Sequence, residues 1–185
     1  MGAGKSTMYD DLSEILYTEE QIREAVTDMG RRIAEDYRGK EPVMVCILKG
    51  ASMFFCDLIR AIGLPLKTEY VILSSYQNGV TSTGRVKISK DLDENVEGKD
   101  VLIVEDIVDT GLTLDTFKKT LEVRKAASVK IVTFLNKPQH RTADLFADYV
   151  CFDIPDAFVV GYGLDYAEKY RNLPVVGILD PKIYK

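Results

Sequence analysis

The chain has a single histidine, His140, and only three cysteines, Cys46, Cys56 and Cys151. One histidine leaves a Ser-His-Asp triad or a His-rich metal site little to build on. His140 lies in the polar stretch KPQHRT and reads as a solvated loop residue. The cysteine number is odd and no CxxC pair occurs, which suits a reducing compartment. Cys46 within VMVCIL and Cys56 within FFCDLI read as small buried hydrophobes. No apolar run approaches the roughly 18 residues of a membrane helix, and MGAGKSTMYDD lacks the apolar segment of a secretory signal. GKST at positions 4–7 imitates the end of a nucleotide-binding P-loop. The glycine that should stand five residues earlier falls before the first residue, and no buried strand leads in, so the stretch reads as an extension. No GxGxxG follows a strand either, which argues against a nicotinamide-binding Rossmann enzyme.

Charge narrows the partners. Twenty-four basic against 29 acidic residues give a net charge of −5, which repels nucleic acid and anionic membranes at long range. A small anionic substrate is left to local cations, backbone amides or metal. The 185 residues, 46% hydrophobic and 29% charged, suffice for one domain and are too few for two ordinary ones. A cytoplasmic globular domain is expected.

Thr18-Glu19-Glu20-Gln21 is a capping box, and apolar residues follow at helical spacing from Ile22 to Tyr37, with Gly39 as the stop. Val43–Leu48 reads as a buried strand, and Lys49-Gly50-Ala51 connects it to a helix over Ser52–Ile62. Tyr70–Leu73, Val86–Ser89, Val101–Val104, Val129–Leu135 and Tyr149–Phe152 read as further strands, with a helix over Thr113–Arg124. Alternating strands and helices, with middle strands apolar on both faces, predict an α/β fold with a mostly parallel central sheet and helices on both faces. Sites in such sheets form at the carboxyl ends of strands. That points to residues 49–52, 74–85, 105–113 and 136–138.

The most informative segment is VLIVEDIVDTGLT, residues 101–113. A buried strand runs into two adjacent carboxylates, Glu105 and Asp106, where it should reach solvent. Asp109-Thr110-Gly111-Leu112-Thr113 then opens a helix. A glycine turn flanked by threonines at a helix N-terminus offers amides and hydroxyls to a phosphate. Carboxylates beside a phosphate cradle make sense when the ligand joins phosphate to a sugar, because they accept from vicinal hydroxyls and hold Mg²⁺. An acidic strand end before a capped helix would also explain them. Receiver domains end a strand in adjacent acids too, but near their start and without this turn.

VLIVEDIVDTGLT resembles the phosphoribosyl-diphosphate signature of type I phosphoribosyltransferases. The rest is similar to their hypoxanthine-guanine branch: LKGA at 48–51, SSYQNGVTSTG at 74–84, LNKP at 135–138 and DIPDAFVVGYGLDYAEKYRNLP at 153–174. The resemblance covers roughly residues 12–180. It implies a core over about 35–150, a small hood from about 10–18 and 151–185, and a flexible lid loop over 74–85. It also implies transfer of a 5-phosphoribosyl group from phosphoribosyl diphosphate to an oxopurine, in a homodimer or homotetramer using Mg²⁺.

By the same resemblance, Glu105 and Asp106 bind the ribose hydroxyls, directly or through Mg²⁺. Thr110, Gly111, Leu112 and Thr113 hold the 5′-phosphate; where some relatives have lysine, Leu112 offers only its backbone. Lys49 and Gly50 grip pyrophosphate, across a Lys–Gly peptide that is often cis in the family. Ser75 and Tyr76 lie on the lid, and Arg171 is the C-terminal pyrophosphate contact. Asp109 is the general base. Lys137 donates to the purine 6-oxo group, Phe158 stacks on the base and Val159 reads its edge through the backbone. Asp165 closes the purine side as a second-metal ligand. Read without the resemblance, Phe158 and Val159 are equally core residues of a short strand, Lys137 a solvated lysine, and Asp165 with Arg171 a surface ion pair. A non-catalytic regulator keeping the phosphoribosyl pocket would need a nucleic-acid-binding element, which the acidic charge and the lack of a helix-turn-helix speak against.

Overall fold

The computed structural model describes residues 7–75 and 86–185. Strand β1 (Leu12–Tyr17) leads to helix α1 (Glu19–Asp36), which starts at the capping box: Thr18 Oγ1 accepts from the Gln21 amide at 3.3 Å, and Gln21 Oε1 from the Thr18 amide at 2.9 Å. The stripe Ile22, Val26, Met29 and Ile33 is buried. The helix stops at Asp36, short of Gly39, which turns the chain at φ +77°.

Strands β2 (Val43–Leu48), β3 (Lys67–Ser75), β4 (Val86–Lys90), β5 (Asp100–Val108), β6 (Ser128–Asn136) and β7 (Tyr149–Asp153) form one sheet in the order β4-β3-β2-β5-β6-β7. All neighbours are parallel except β4, which runs antiparallel along the β3 edge. Strand alternation divides the core. Met44, Cys46, Leu102 and Val104 face α1 and α2 (Ser52–Ile62), while Val43, Val45, Val101 and Ile103 face α3 (Leu112–Val123). The chain leaves β2 toward β3 and returns to lay β5 on the other side of β2. That reversal opens a crevice at the carboxyl ends of β2 and β5, the place where open α/β sheets bind ligands.

A second, antiparallel sheet joins β1 to β9 (Val176–Leu179) and β8 (Val159–Val160), with the short α4 (Pro181–Tyr184) closing the chain. It has its own small core of Val160, Tyr170, Leu173, Val175 and Leu179. Residues 161–163, just after β8, reach the crevice.

Three expectations change. Strand β5 does not end at Val104: Ile107 and Val108 pair with Leu135 and Asn136 of β6, and buried Val108 packs with the α3-side core. Glu105 and Asp106 therefore ride on the strand itself. Cys46 is buried as predicted, but Cys56 is exposed, because α2 turns that position away from the sheet. His140 is not simply solvated, since both ring nitrogens meet carboxylates. Ser74 and Ser75 end β3; residues 76–85 of the expected lid, Tyr76 among them, lie outside the described residues.

Candidate active site

The carboxylates on β5 sit deep in the crevice. Burial pushes the Glu105 carboxyl well above the usual range, and the adjacent Asp106 charge adds to it. Burial also pushes Asp106 up to about 6, with the Asp165 charge adding to the rise; the Ile107 amide, donating at 2.8 Å, and the Arg171 guanidinium work against it.

Gly50 is the reason Asp106 fits. A Cβ there would stand 1.6 Å from Asp106 Oδ2, so only glycine lets the β2–α2 connection pass. Gly163 packs on the other side of the same peptide: at φ +101°, its Cβ would come within 2.0 Å of the Gly50 carbonyl oxygen. The cis peptide bond at this connection is Leu48–Lys49, one bond earlier than the resemblance led us to expect.

Arg171 closes this corner. It donates to the Gly163 carbonyl at 2.8 Å and pairs with Asp165 at 2.8 Å and Glu168 at 3.5 Å, while its Nε is buried with no hydrogen-bond partner. Lys49 Nζ meets the other Glu168 oxygen at 2.9 Å. Lys49, Gly50, Asp106, Asp165 and Arg171 are thus brought together through Glu168 and Gly163. Tyr162, Ala167, Glu168 and Tyr170 all have positive φ without being glycine, so the segment holding this corner is conformationally costly. Among the described residues, no group of three or more His, Cys, Asp or Glu side chains forms a ready metal cage, and Asp165 is paired with Arg171. Mg²⁺ ordinarily takes one or two protein carboxylates and completes its shell with substrate oxygens and water.

The Asp109–Thr113 loop lies at the other end of the carboxylate pair. Glu105, Asp109, Thr110, Gly111 and Thr113 line one cavity of about 160 Å³. Gly111 caps α3 at φ +79°, leaving the first amides of the helix open to an anion. Leu112 is 40% exposed, with its side chain at the surface. Arg141 braces the loop from below, donating to the carbonyls of Val108 at 3.2 Å and Leu145 at 3.0 Å and to Asn136 Oδ1. His140 Nδ1 stands 3.1 Å from Asp109 Oδ1, and its Nε2 is 3.0 Å from Asp156 Oδ2.

On the third side, Lys137 is nearly buried and donates to the Ala157 carbonyl at 2.7 Å. Phe158 is 42% exposed, stacked on Tyr184 with ring centroids 5.0 Å apart and edge-on to Tyr166 at 5.8 Å. The Val159 side chain is core, and its backbone pairs with Ile178 of β9. Asp165 lies at the Arg171 corner. Glu168, Arg141, Asp156 and Tyr184 are not singled out by the sequence, and His140 reads there only as a solvated loop residue. Charged residues in a polar stretch look alike until the fold shows which of them meet.

A model of the phosphoribosyl transferase domain matches residues 13–167, and the chain belongs to that family. Its relatives fall in the hypoxanthine-guanine branch. The hypoxanthine-guanine phosphoribosyltransferase of Bacillus subtilis is 49% identical over 178 residues, 96% of this chain and 99% of that protein. A crystal structure of a hypoxanthine phosphoribosyltransferase from Staphylococcus aureus, 50% identical, covers 99% of this chain and all of its own with a TM-score of 0.95. The Listeria monocytogenes bifunctional protein TilS/HprT is 48% identical over 181 residues, and there the chain spans only 28% of the longer protein.

Proposed function

We propose that this enzyme transfers the 5-phosphoribosyl group from phosphoribosyl diphosphate to hypoxanthine and guanine, giving IMP or GMP and pyrophosphate in purine salvage. One observation carries the reading. The Glu105–Asp106 pair has a helix-opening loop on one side and the Lys49–Arg171 corner on the other, the order in which a phosphate–ribose–pyrophosphate presents its groups. In that reading the amides of Thr110, Gly111, Leu112 and Thr113 take the 5′-phosphate. Glu105 and Asp106 take the ribose hydroxyls. Lys49, Gly50 and Arg171 take the pyrophosphate.

The bond from C1′ to pyrophosphate oxygen breaks as the bond from C1′ to the purine imidazole nitrogen forms. Asp109 accepts the proton that leaves the ring's N7. Lys137 donates to the 6-oxo group, Phe158 stacks on the base, and Val159 reads the ring edge with its backbone. The donor set fits Mg²⁺: Glu105, Asp106 and Asp165 offer hard oxygens, and burial makes the first two favour a compensating cation. Bound there, Mg²⁺ would neutralise charge on the leaving pyrophosphate.

Localisation in the cytoplasm accords with the free thiols of Cys46, Cys56 and Cys151. The dimer or tetramer that the resemblance implies is tested by sedimentation. Initial rates with hypoxanthine, guanine, xanthine and adenine at saturating phosphoribosyl diphosphate test the activity. Turnover of the first two and none of adenine is expected; use of adenine alone would overturn the assignment.

A further inference from the structure

Lys137 and His140 stand on one turn, and each holds the segment that carries the base-stacking wall. Lys137 Nζ donates to the Ala157 carbonyl at 2.7 Å and lies 4.0 Å from Asp156, while His140 Nε2 is 3.0 Å from Asp156 Oδ2. Phe158 follows immediately. The other imidazole nitrogen is 3.1 Å from Oδ1 of Asp109. One side chain therefore spans the carboxylate assigned as general base and the loop that presents the purine's stacking partner. Asp109 follows β5 and Asp156 follows β7, two strands separated in the sheet by β6. The two strands do not pair directly, and the two carboxylates meet through the His140 side chain.

We propose that His140 is a positioning residue, clamping the Asp109 carboxylate to the Asp156–Phe158 wall so that base and general base meet in register. The clamp rests on the reading of Asp109 as the base. Its chemistry follows from counting protons. A neutral imidazole has one N–H, so it can donate to one carboxylate and presents a lone pair to the other. Holding both takes both N–H groups, so the full clamp belongs to the imidazolium. The charged and titratable groups around it are Asp109 from the phosphate loop, Asp156 from the purine loop, Lys137 beside Asp156, and Arg141, which acts electrostatically on Asp109. Removing the ring frees both Asp156 and Asp109 and loosens the wall without touching the Asp109–Thr113 backbone.

The test is a comparison of H140A, H140Q and D156N with the wild-type enzyme, by steady-state and single-turnover kinetics. His140 is 40% side-chain exposed and Asp156 58%, and thermal melts verify that the variants fold. For H140A we expect the hypoxanthine KM to rise about tenfold and the KM for phosphoribosyl diphosphate to stay within twofold. H140Q, whose amide N–H groups can still donate to a carboxylate, should lie between H140A and wild type. D156N, which removes the carboxylate on the wall side, should shift the hypoxanthine KM in the same direction as H140A. A hypoxanthine KM in H140A within twofold of wild type, or an equal rise for both substrates, would overturn the clamp. Failure of the Asp109 reading is separable: D109N would then leave the single-turnover rate intact, whereas failure of the clamp alone leaves the D109N loss in place.

Discussion

The backbone of Gly50 lies directly against the Asp106 carboxylate, leaving no room for a Cβ, which would stand 1.6 Å from Oδ2. The β2–α2 connection and the β5 acid are thus mutually positioned: whatever shifts one shifts the other. Gly50→Ala would drive the carboxylate out of place or lift the connection off Gly163. Displacements of about 1 Å at a reacting centre cost about 100-fold in rate. We expect G50A to lose at least that much in kcat/KM with a circular dichroism spectrum unchanged. A variant with more than a tenth of wild-type activity would show that the connection adapts.

The same two acids set a pH dependence of stability. A carboxyl whose pKa is raised in the folded protein binds its proton more tightly there than in the unfolded chain. Folding is then favoured at low pH, and that advantage is lost as pH rises from about 4 through the folded value, about 6 for Asp106. Above it, the ligand-free protein carries a buried charge that the Ile107 amide and Arg171 offset only in part. Asp106→Asn should therefore raise the melting temperature at pH 7–8 by a few degrees, on the order of 2–4 °C per kcal/mol gained for a chain of this size, while abolishing turnover. The stability difference between D106N and wild type should shrink toward pH 5. Calorimetry over that range decides it, and a D106N melting temperature below wild type at pH 8 would contradict the burial argument.

Removal of metal should act through the same pair. EDTA is expected to stop turnover, excess Mg²⁺ to restore it, and undiminished rates in chelator would rule out the carboxylates as its site.

Lys137 is bound to the Ala157 carbonyl at 2.7 Å, so its ammonium stands at the wall that leads to Phe158. Lys137→Met keeps the stem and removes the donor. Losing one hydrogen bond to a buried acceptor costs about 1–3 kcal/mol, or roughly 5- to 150-fold in affinity. The hypoxanthine KM should rise within that range and the KM for phosphoribosyl diphosphate should hold. Equal losses for both substrates would place the lysine's effect in the fold.

Much of this was legible in the residues, for identifiable reasons. The capping box at Thr18 and Gln21 is a local device, and β2 shows as an unbroken apolar run because it is buried on both faces. The Asp109–Thr113 turn carries its own glycine, so the opening of α3 could be read in place. What stayed hidden depends on chain segments far apart in sequence. Strand β5 outruns its apolar stretch because β6 continues to pair with it, and apolar patterning stops at the first acid. Glu168 matters because Lys49, 119 positions away, folds onto it. His140 looked solvated because its partners, Asp109 and Asp156, come from two different loops.

Asp109 is the first residue beyond β5, sharing a cavity with Glu105, Thr110, Gly111 and Thr113, and its side chain is 48% exposed. The carboxylate is therefore reachable by a substrate, and in the proposed reading the amides after it serve the phosphate. One oxygen faces His140 Nδ1, which leaves the other to take a proton. Asparagine keeps the size of the side chain and a hydrogen-bonding oxygen, but cannot act as a base. General-base catalysis contributes about 10²–10⁴-fold, equivalent to roughly 3–5 kcal/mol of barrier. Asp109→Asn should lower the single-turnover rate by that factor and leave affinity for phosphoribosyl diphosphate nearly unchanged, since the phosphate amides are untouched. The measurement has to be single-turnover, because slow product release would hide a loss in chemistry at steady state. If D109N keeps more than about half the wild-type single-turnover rate, Asp109 only shapes the loop, and the proton leaves the purine by another route.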